Sequence, residues 1–306
     1  MVRKVLEVKN LEVSFEVEDG IVNAVRGIDY CINEGEVLAI VGESGSGKSV
    51  ATKAITKLFQ GDNGRITNGS VVFFGEDLVN KNEKEFTKIR GKDIAMIFQD
   101  PMTSLNPTMQ VGKQIMEPLM IHKSMNKKDA KVKAIEILDL VGIKNAELRF
   151  KDYPHEFSGG QRQRIGIARA LSVEPELIIA DEPISALDVS IQAQIINIIK
   201  KLQKERETTL LFIAHDLSMV KYVSDRIAVM HKGKIVEIAS AERLYQNPLH
   251  NYTKSLISSI PQPDPIYEKE RVREIYNDKF DNDSECKLRK IENDHYVLTS
   301  LNVAEM

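Results

Sequence analysis

Gly42-Glu43-Ser44-Gly45-Ser46-Gly47-Lys48-Ser49 is the stretch that decides how this chain is read. It fits the pattern G-x-x-x-x-G-K-[ST]. Val37-Leu38-Ala39-Ile40-Val41, just before it, is an apolar, β-branched run that predicts a buried strand, and Ser49 to Leu58 carries helical spacing. Strand, glycine loop and helix is the arrangement an anion site needs. Glycines let the backbone curl until successive N–H groups point inward. A helix N-terminus adds the positive end of its dipole. Lys48 can then reach the β- and γ-phosphates of a nucleotide, and Ser49 can ligate Mg2+. A mere glycine-rich turn with a surface lysine would lack the flanking strand and helix.

Composition limits what surrounds this loop. The 306 residues suffice for one large domain or two smaller ones. The net charge of −3, from 42 basic and 45 acidic residues, leaves no footprint for nucleic acid or an anionic membrane. Cys31 and Cys286 are too far apart in sequence for a disulfide framework or thiolate metal site, so a reducing cytosol is expected. No secretory h-region, no run of 18 apolar residues and no internal repeat is read.

Upstream, Val5, Leu6, Val8, Leu11, Val13 and Phe15 alternate like a strand with one buried face. Turn signals at Asp19-Gly20 and Asn33-Glu34-Gly35-Glu36 bracket Val22 to Val25, so residues 5–36 predict a short antiparallel sheet. Phe15 is a candidate for stacking on adenine, and an ordinary core position fits it equally well.

Downstream, Gly61 to Gly69 reads as a polar turn region before a strand at Val71–Phe74. Ile94–Phe98 predicts a second buried strand, ending at Gln99, whose side chain can reach a γ-phosphate, Mg2+ or attacking water, or can simply belong to the turn. Residues 102–157, with Ile115, Met116, Leu119 and Val132, Ile135, Leu138, Leu140 at helical spacing, predict a helical insertion with solvated lysine-rich faces. Ser158 and Gln161 then form a capping-box pattern, and Gly159-Gly160 leave the helix start unobstructed as a second potential phosphate site.

Leu177-Ile178-Ile179-Ala180 is a continuous apolar strand ending in Asp181-Glu182. Two carboxylates at a buried strand tip are costly unless employed. Beside a P-loop the first is placed to hold Mg2+ through water and the second to position or deprotonate the attacking water. Ser185–Asp188 leads into a helix whose Ile191, Ile195, Ile198, Ile199 and Leu202 read as a core stripe. Leu210–Ala214 is a further buried strand, ending in His215, which can hydrogen-bond a γ-phosphate. His122, His155, His231, His250 and His295 lack ligand spacing and receive no metal. Ile227–Met230 and Ile235–Ile238 predict a hairpin across Lys232-Gly233, and Asn247-Pro248 opens a short helical tail. Beyond Pro261–Pro265 the chain turns charged, predicting a boundary and a loosely ordered end.

Gly42–Ser49, Gln99, Ser158–Gln161, Leu177–Glu182, Ser185–Asp188 and His215 stand in the order of the Walker A, Q-loop, signature, Walker B, D-loop and switch-histidine motifs. Over about residues 1–260 the chain therefore resembles the ATP-binding cassette (ABC) ATPases. The serine-glycine-glycine-glutamine signature separates that family from other P-loop proteins. More finely, Phe98–Pro107, Tyr153–Phe157, Ser185–Gln194 and Asn247–Thr253 are similar to oligopeptide/dipeptide importer ATPases, most of all the F-type subunit of an oligopeptide permease. Asn251 stands where proline is usual, and where many relatives carry a cysteine cluster only Cys286 is present, so no iron–sulfur cluster is expected. The motifs leave open an importer ATPase for nickel or another small solute, and a soluble ABC ATPase of a metabolic complex.

The resemblance implies an α/β fold: a P-loop NTPase (RecA-like) core with a parallel sheet, an antiparallel β subdomain and an inserted helical subdomain at about 102–160. It implies an ATP-binding domain over residues 1–250 and a C-terminal extension over 251–306. ATP and Mg2+ are the implied cofactors. Two ATPase subunits would face head to tail. Gly42–Ser49, Gln99, Asp181, Glu182 and His215 act from one side, and Ser158, Gly159, Gly160 and Gln161 come from the other. Glu182, His215 and Gln99 are the implied catalytic residues, and Ser49, Gln99 and Asp181 the implied metal ligands. Implied partners are a second, different ATPase, two transmembrane permease subunits and, indirectly, an extracellular solute-binding protein, with the chain peripheral on the cytoplasmic membrane face.

Overall fold

The structure, a computed structural model, describes residues 3–59, 63–185, 187–260, 276, 286–292 and 294–300. Its contacts divide the chain into two units, one of residues 6–32, 37–79 and 213–306, the other of residues 1–5, 33–36 and 80–212.

The first unit opens with β1 (Lys4–Val17) and β2 (Gly20–Asn33), whose alternating burial follows their alternating sequence. With β4 (Gly64–Phe73) and β5 (Glu76–Asp77) they form an antiparallel sheet in the order β2-β1-β4-β5. β4 is longer than its sequence suggests, because Gly64–Asn68 is strand and not turn. The misleading signal is Gly69. It sits opposite a bulge in β1 at φ +90°, where a Cβ would lie 2.2 Å from the Asn10 carbonyl oxygen. Close backbone approach at a bulge demands glycine there without ending the strand. Gly61 lies outside the described residues.

Also in this unit, β3 (Val37–Val41) is buried at every residue and runs into α1 (Lys48–Thr56). The hairpin of β9 (Arg226–His231) and β10 (Lys234–Ser240) places β9 parallel to β3, with Leu38 opposite Arg226. Lys232 and Gly233 both take positive φ, as a tight hairpin turn requires. The helical tail begins before Asn247, with α10 (Ala241–Gln246) capped by Ser240, and resumes as α11 (Asn251–Ser258). The charged end holds a second hairpin, β11 (Lys287–Glu292) and β12 (His295–Thr299), which extends the sheet beside β10.

In the other unit α2 (Glu83–Phe86) precedes β6 (Ile94–Ile97), which pairs in parallel with β7 (Leu177–Asp181), and β8 (Thr209–Ala214) lies next to β7. β7 and β8 are apolar on both faces because both are covered. β6 stops one residue earlier than its apolar run, leaving Phe98 36% exposed. Between β6 and β7 lies the helical insertion: α3 (Pro101–Ser104), α4 (Val111–His122), α5 (Lys127–Leu140), α6 (Ala146–Arg149) and α7 (Gly159–Leu171). α8 (Val189–Arg206) buries Ile195, Ile196, Ile199 and Leu202. The isoleucine stripe is thus centred closer to Ile196, with Ile191 and Ile198 half-buried at its margins.

Candidate nucleotide site

In the β3–α1 unit, the loop's shape follows from what surrounds its glycines. Gly47 adopts φ +102°, and a Cβ there would lie 2.5 Å from the Ala24 carbonyl oxygen and 2.8 Å from Met230 Cε. At Gly42 a Cβ would meet the Met230 carbonyl oxygen at 2.1 Å. The Gly233 N–H donates to the Ser46 carbonyl at 2.9 Å, so the β9–β10 turn fixes the outer side of the loop. Gly45, in contrast, has open space around it.

Lys48 is buried, and its Nζ donates to the carbonyls of Gly42 and Glu43, each at 2.8 Å. The N-cap of α1 is Gly47, which supplies no side-chain cap. The Ser46 hydroxyl is buried with no hydrogen-bond partner among the described residues. An uncapped helix start, an orphaned buried hydroxyl, a buried cation and a glycine cradle that a Cβ would fill together suit a polyphosphate.

Tyr252, in α11, joins this loop, and its Oη accepts the Glu43 N–H at 3.2 Å. Burial pushes its hydroxyl up to about 12, against the opposing pull of the Glu43 N–H. Sequence reasoning did not select Tyr252. Its only sequence signal is its place in the Asn247–Thr253 segment. His215 follows β8 and is exposed, and the neighbouring Asp216 caps α9 (Leu217–Val223) by accepting the Ser218 N–H at 2.8 Å. Phe15 is half-buried with its ring 6.2 Å from that of Phe59.

In the other unit, the parallel register sets Ile97 opposite Ala180, so the segments after β6 and β7 emerge side by side. Gln99 Nε2 accordingly donates to Glu182 Oε2 at 3.1 Å. Asp181 ends β7 at 6% exposure. Glu182 adopts φ +44°, a left-handed conformation that a non-glycine residue holds only when its surroundings impose it. Its carbonyl accepts the backbone N–H of Ser185 at 3.2 Å and the Ser185 hydroxyl at 3.1 Å. Gln192 Nε2 donates to the carbonyls of Ile184 at 3.2 Å and Leu187 at 3.0 Å, which ties the turn after Glu182 to α8.

Ser158 and Gln161 form the reciprocal capping box. The Ser158 N–H donates to Gln161 Oε1 at 3.0 Å and the Gln161 N–H to Ser158 Oγ at 3.4 Å. Gly160 packs this helix start on α8, because a Cβ would lie 2.6 Å from Ile191 Cγ2.

The glycine loop with its buried lysine, and the strand tipped by carboxylates, define a P-loop nucleotide-binding protein. The ABC transporter family matches residues 25–185, and the family described as oligopeptide/dipeptide transporter, C-terminal region, matches residues 236–289. The chain is 50% identical to the oligopeptide transport ATP-binding protein OppF of Bacillus subtilis, across 97% of each chain. It is 47% identical to OppD of the same organism, across 97% of this chain and 88% of that one. Its fold is similar to the cassette MJ0796 in a dimeric post-hydrolysis state bound to ADP and Pi, with a TM-score of 0.69 and 28% identity over 77% of this chain and 98% of that one. The chain belongs to the ABC transporter family, in its oligopeptide/dipeptide branch.

Proposed function

We infer that this chain is the ATP-hydrolysing subunit of an ABC importer for oligopeptides or dipeptides. The observation that carries this is the similarity over nearly the whole chain to peptide-transport ATP-binding proteins, including a C-terminal region of their own kind. That region favours a peptide over nickel or another small solute. Relatives named OppD and OppF match almost equally, so the F-type assignment rests on the motif segments.

In the proposed mechanism, N–H groups of Gly45–Ser49 cradle the phosphates and Lys48 leaves its loop carbonyls for the β- and γ-oxygens. Ser49, Asp181 and Gln99 are the residues that would hold Mg2+, which would supply positive charge against the phosphates. Glu182 orients the attacking water and takes its proton, and the Gln99 hydrogen bond holds that carboxylate before nucleotide arrives. His215 hydrogen-bonds the γ-phosphate, and Phe15 is the proposed adenine platform. Ser158, Gly159, Gly160 and Gln161 serve the nucleotide of a second ATPase subunit. Domain limits of 1–250 and 251–306 go with this reading.

Among the described residues no helix is long and apolar enough to cross a membrane. The proposed seat is the cytoplasmic membrane face, through two permease partners. The test is affinity purification from gently solubilised native membranes. Two multi-span permeases and a second ATPase are the expected companions. Recovery from the soluble fraction alone, with metabolic enzymes, would overturn the importer assignment and leave the ATPase chemistry standing.

A further inference from the structure

Glu237, in β10, is a carboxylate with 0% exposure. Its oxygens accept the N–H of Leu249 at 2.9 Å and of His250 at 3.0 Å, and His295 Nε2 of β12 lies 2.7 Å away. Burying a carboxylate is costly unless its lone pairs are used. Here they join β10, β12 and the segment leading into α11. That segment is then fixed from within, because His250 Nδ1 accepts the Tyr252 N–H at 3.1 Å and caps α11.

Tyr252 is 3% exposed. Its ring lies 4.0 Å from that of His231 and meets Tyr276 edge-on at 5.3 Å. Its hydroxyl is aimed at Glu43, whose peptide is a junction of the phosphate loop. The N–H of Glu43 goes to Tyr252, while its carbonyl accepts Lys48 Nζ at 2.8 Å and the Ser46 N–H at 3.2 Å. Contacts therefore run without a break from Glu237 through His250 and Tyr252 to Glu43 and Lys48.

We propose that Tyr252 is a positioning residue for the phosphate loop, held by buried Glu237, so that the C-terminal segment sets the loop conformation that receives ATP. The inference rests on the reading of Gly42–Ser49 as the nucleotide site. Fixing the Glu43 peptide holds the Lys48 amine at the loop mouth. Without the hydroxyl, ordering that peptide becomes part of the cost of binding. Burial keeps the hydroxyl neutral at physiological pH, so the contact acts at every working pH.

The test is Tyr252→Phe in the full chain, which keeps the ring packing and removes only the hydroxyl. ATP affinity is measured by calorimetry in EDTA, where no turnover occurs. One hydrogen bond predicts about threefold to tenfold weaker binding, and the melting temperature should stay within about 3 °C. With Mg2+ restored, KM for ATP should rise and kcat stay within about twofold. Glu237→Gln should weaken ATP binding in the wild-type background and add little to Tyr252→Phe, since both act along one line of contacts. Wild-type affinity in Tyr252→Phe, or fully additive losses, would overturn the proposal. If Glu237→Gln fails to fold, Tyr252→Phe alone decides. Lys48→Ala is the control. Should it bind ATP normally, the loop itself has been misread, whatever Tyr252 does.

Discussion

Replacing Gly47 by alanine tests the geometry on which the nucleotide site depends. At φ +102° an L side chain is strained by about 1–3 kcal/mol. The new Cβ would also lie 2.5 Å from the Ala24 carbonyl oxygen and 2.8 Å from Met230 Cε. The methionine can swing aside, but the carbonyl belongs to β2 and must move with its strand. Overpacking of that kind costs about 1–3 kcal/mol more. The sum, about 2–6 kcal/mol, corresponds to a melting temperature lower by on the order of 5–20 °C. The loop can escape the clash only by moving off the β9–β10 turn, which spoils the cradle, so ATP affinity should fall at least about tenfold. Gly45→Ala is the matched comparison: φ is +80°, but nothing lies within 4 Å of the new Cβ. It carries the conformational cost alone, about 1–2 kcal/mol. Thermal denaturation and ATP titration of both variants decide the matter. A Gly47→Ala protein that melts and binds like the wild type refutes the packing argument. A Gly45→Ala protein as damaged as Gly47→Ala shows that the left-handed backbone, and not the contact with β2, sets the cost.

Glu182→Gln should bind ATP while turnover drops by at least about a hundredfold, and single-turnover kinetics showing normal hydrolysis would remove Glu182 from its proposed role as base. Alkaline titration should expose Tyr30, Tyr245 and Tyr252, all raised above the ordinary phenol range chiefly by burial. The folded protein holds these protons more tightly than the unfolded chain. Their contribution is therefore complete below pH 10 and falls as pH rises beyond it, as chemical denaturation between pH 8 and 11 would reveal. The Tyr30 hydroxyl is buried with no partner among the described residues, so Tyr30→Phe should flatten that fall and leave neutral-pH stability unchanged or slightly higher.

Much of this was legible in the sequence because local chemistry and tertiary demand coincide. Val37–Val41 is apolar at every position and buried at every position. Ser158 and Gln161 carry the cap in their own side chains. What misled was glycine. Gly69 reads as a loop residue yet lies inside a strand, whereas Gly47 stands where the glycine-loop pattern puts it, at the end of the loop and the start of α1. Their need for glycine comes from Asn10 in one case and from Ala24 in the other, backbone partners far away in sequence. The charged tail misled in the opposite sense. Its composition argues against a core, but His295 is buried on Glu237, a contact between residues 58 apart. Tyr252 was invisible for the same reason, since its hydroxyl meets a loop 209 residues earlier.

The two helix starts assigned to phosphate differ in a way that bears on how each can be used. α1 begins at Gly47, which supplies no side-chain cap, and a buried lysine opens the helix. α7 begins at Ser158, and its capping box already occupies the N–H of Gln161. A phosphate reaching α7 meets a donor set that is partly satisfied and has no buried cation in its own loop, so attraction there is weaker than at α1. Nucleotide should therefore settle first on the Gly42–Ser49 loop. On the proposed reading, the Ser158 helix then adds its dipole and remaining donors to a phosphate held elsewhere. That order is what a signature motif serving a second subunit's nucleotide requires, because closure of two subunits then follows ATP binding and does not compete with it.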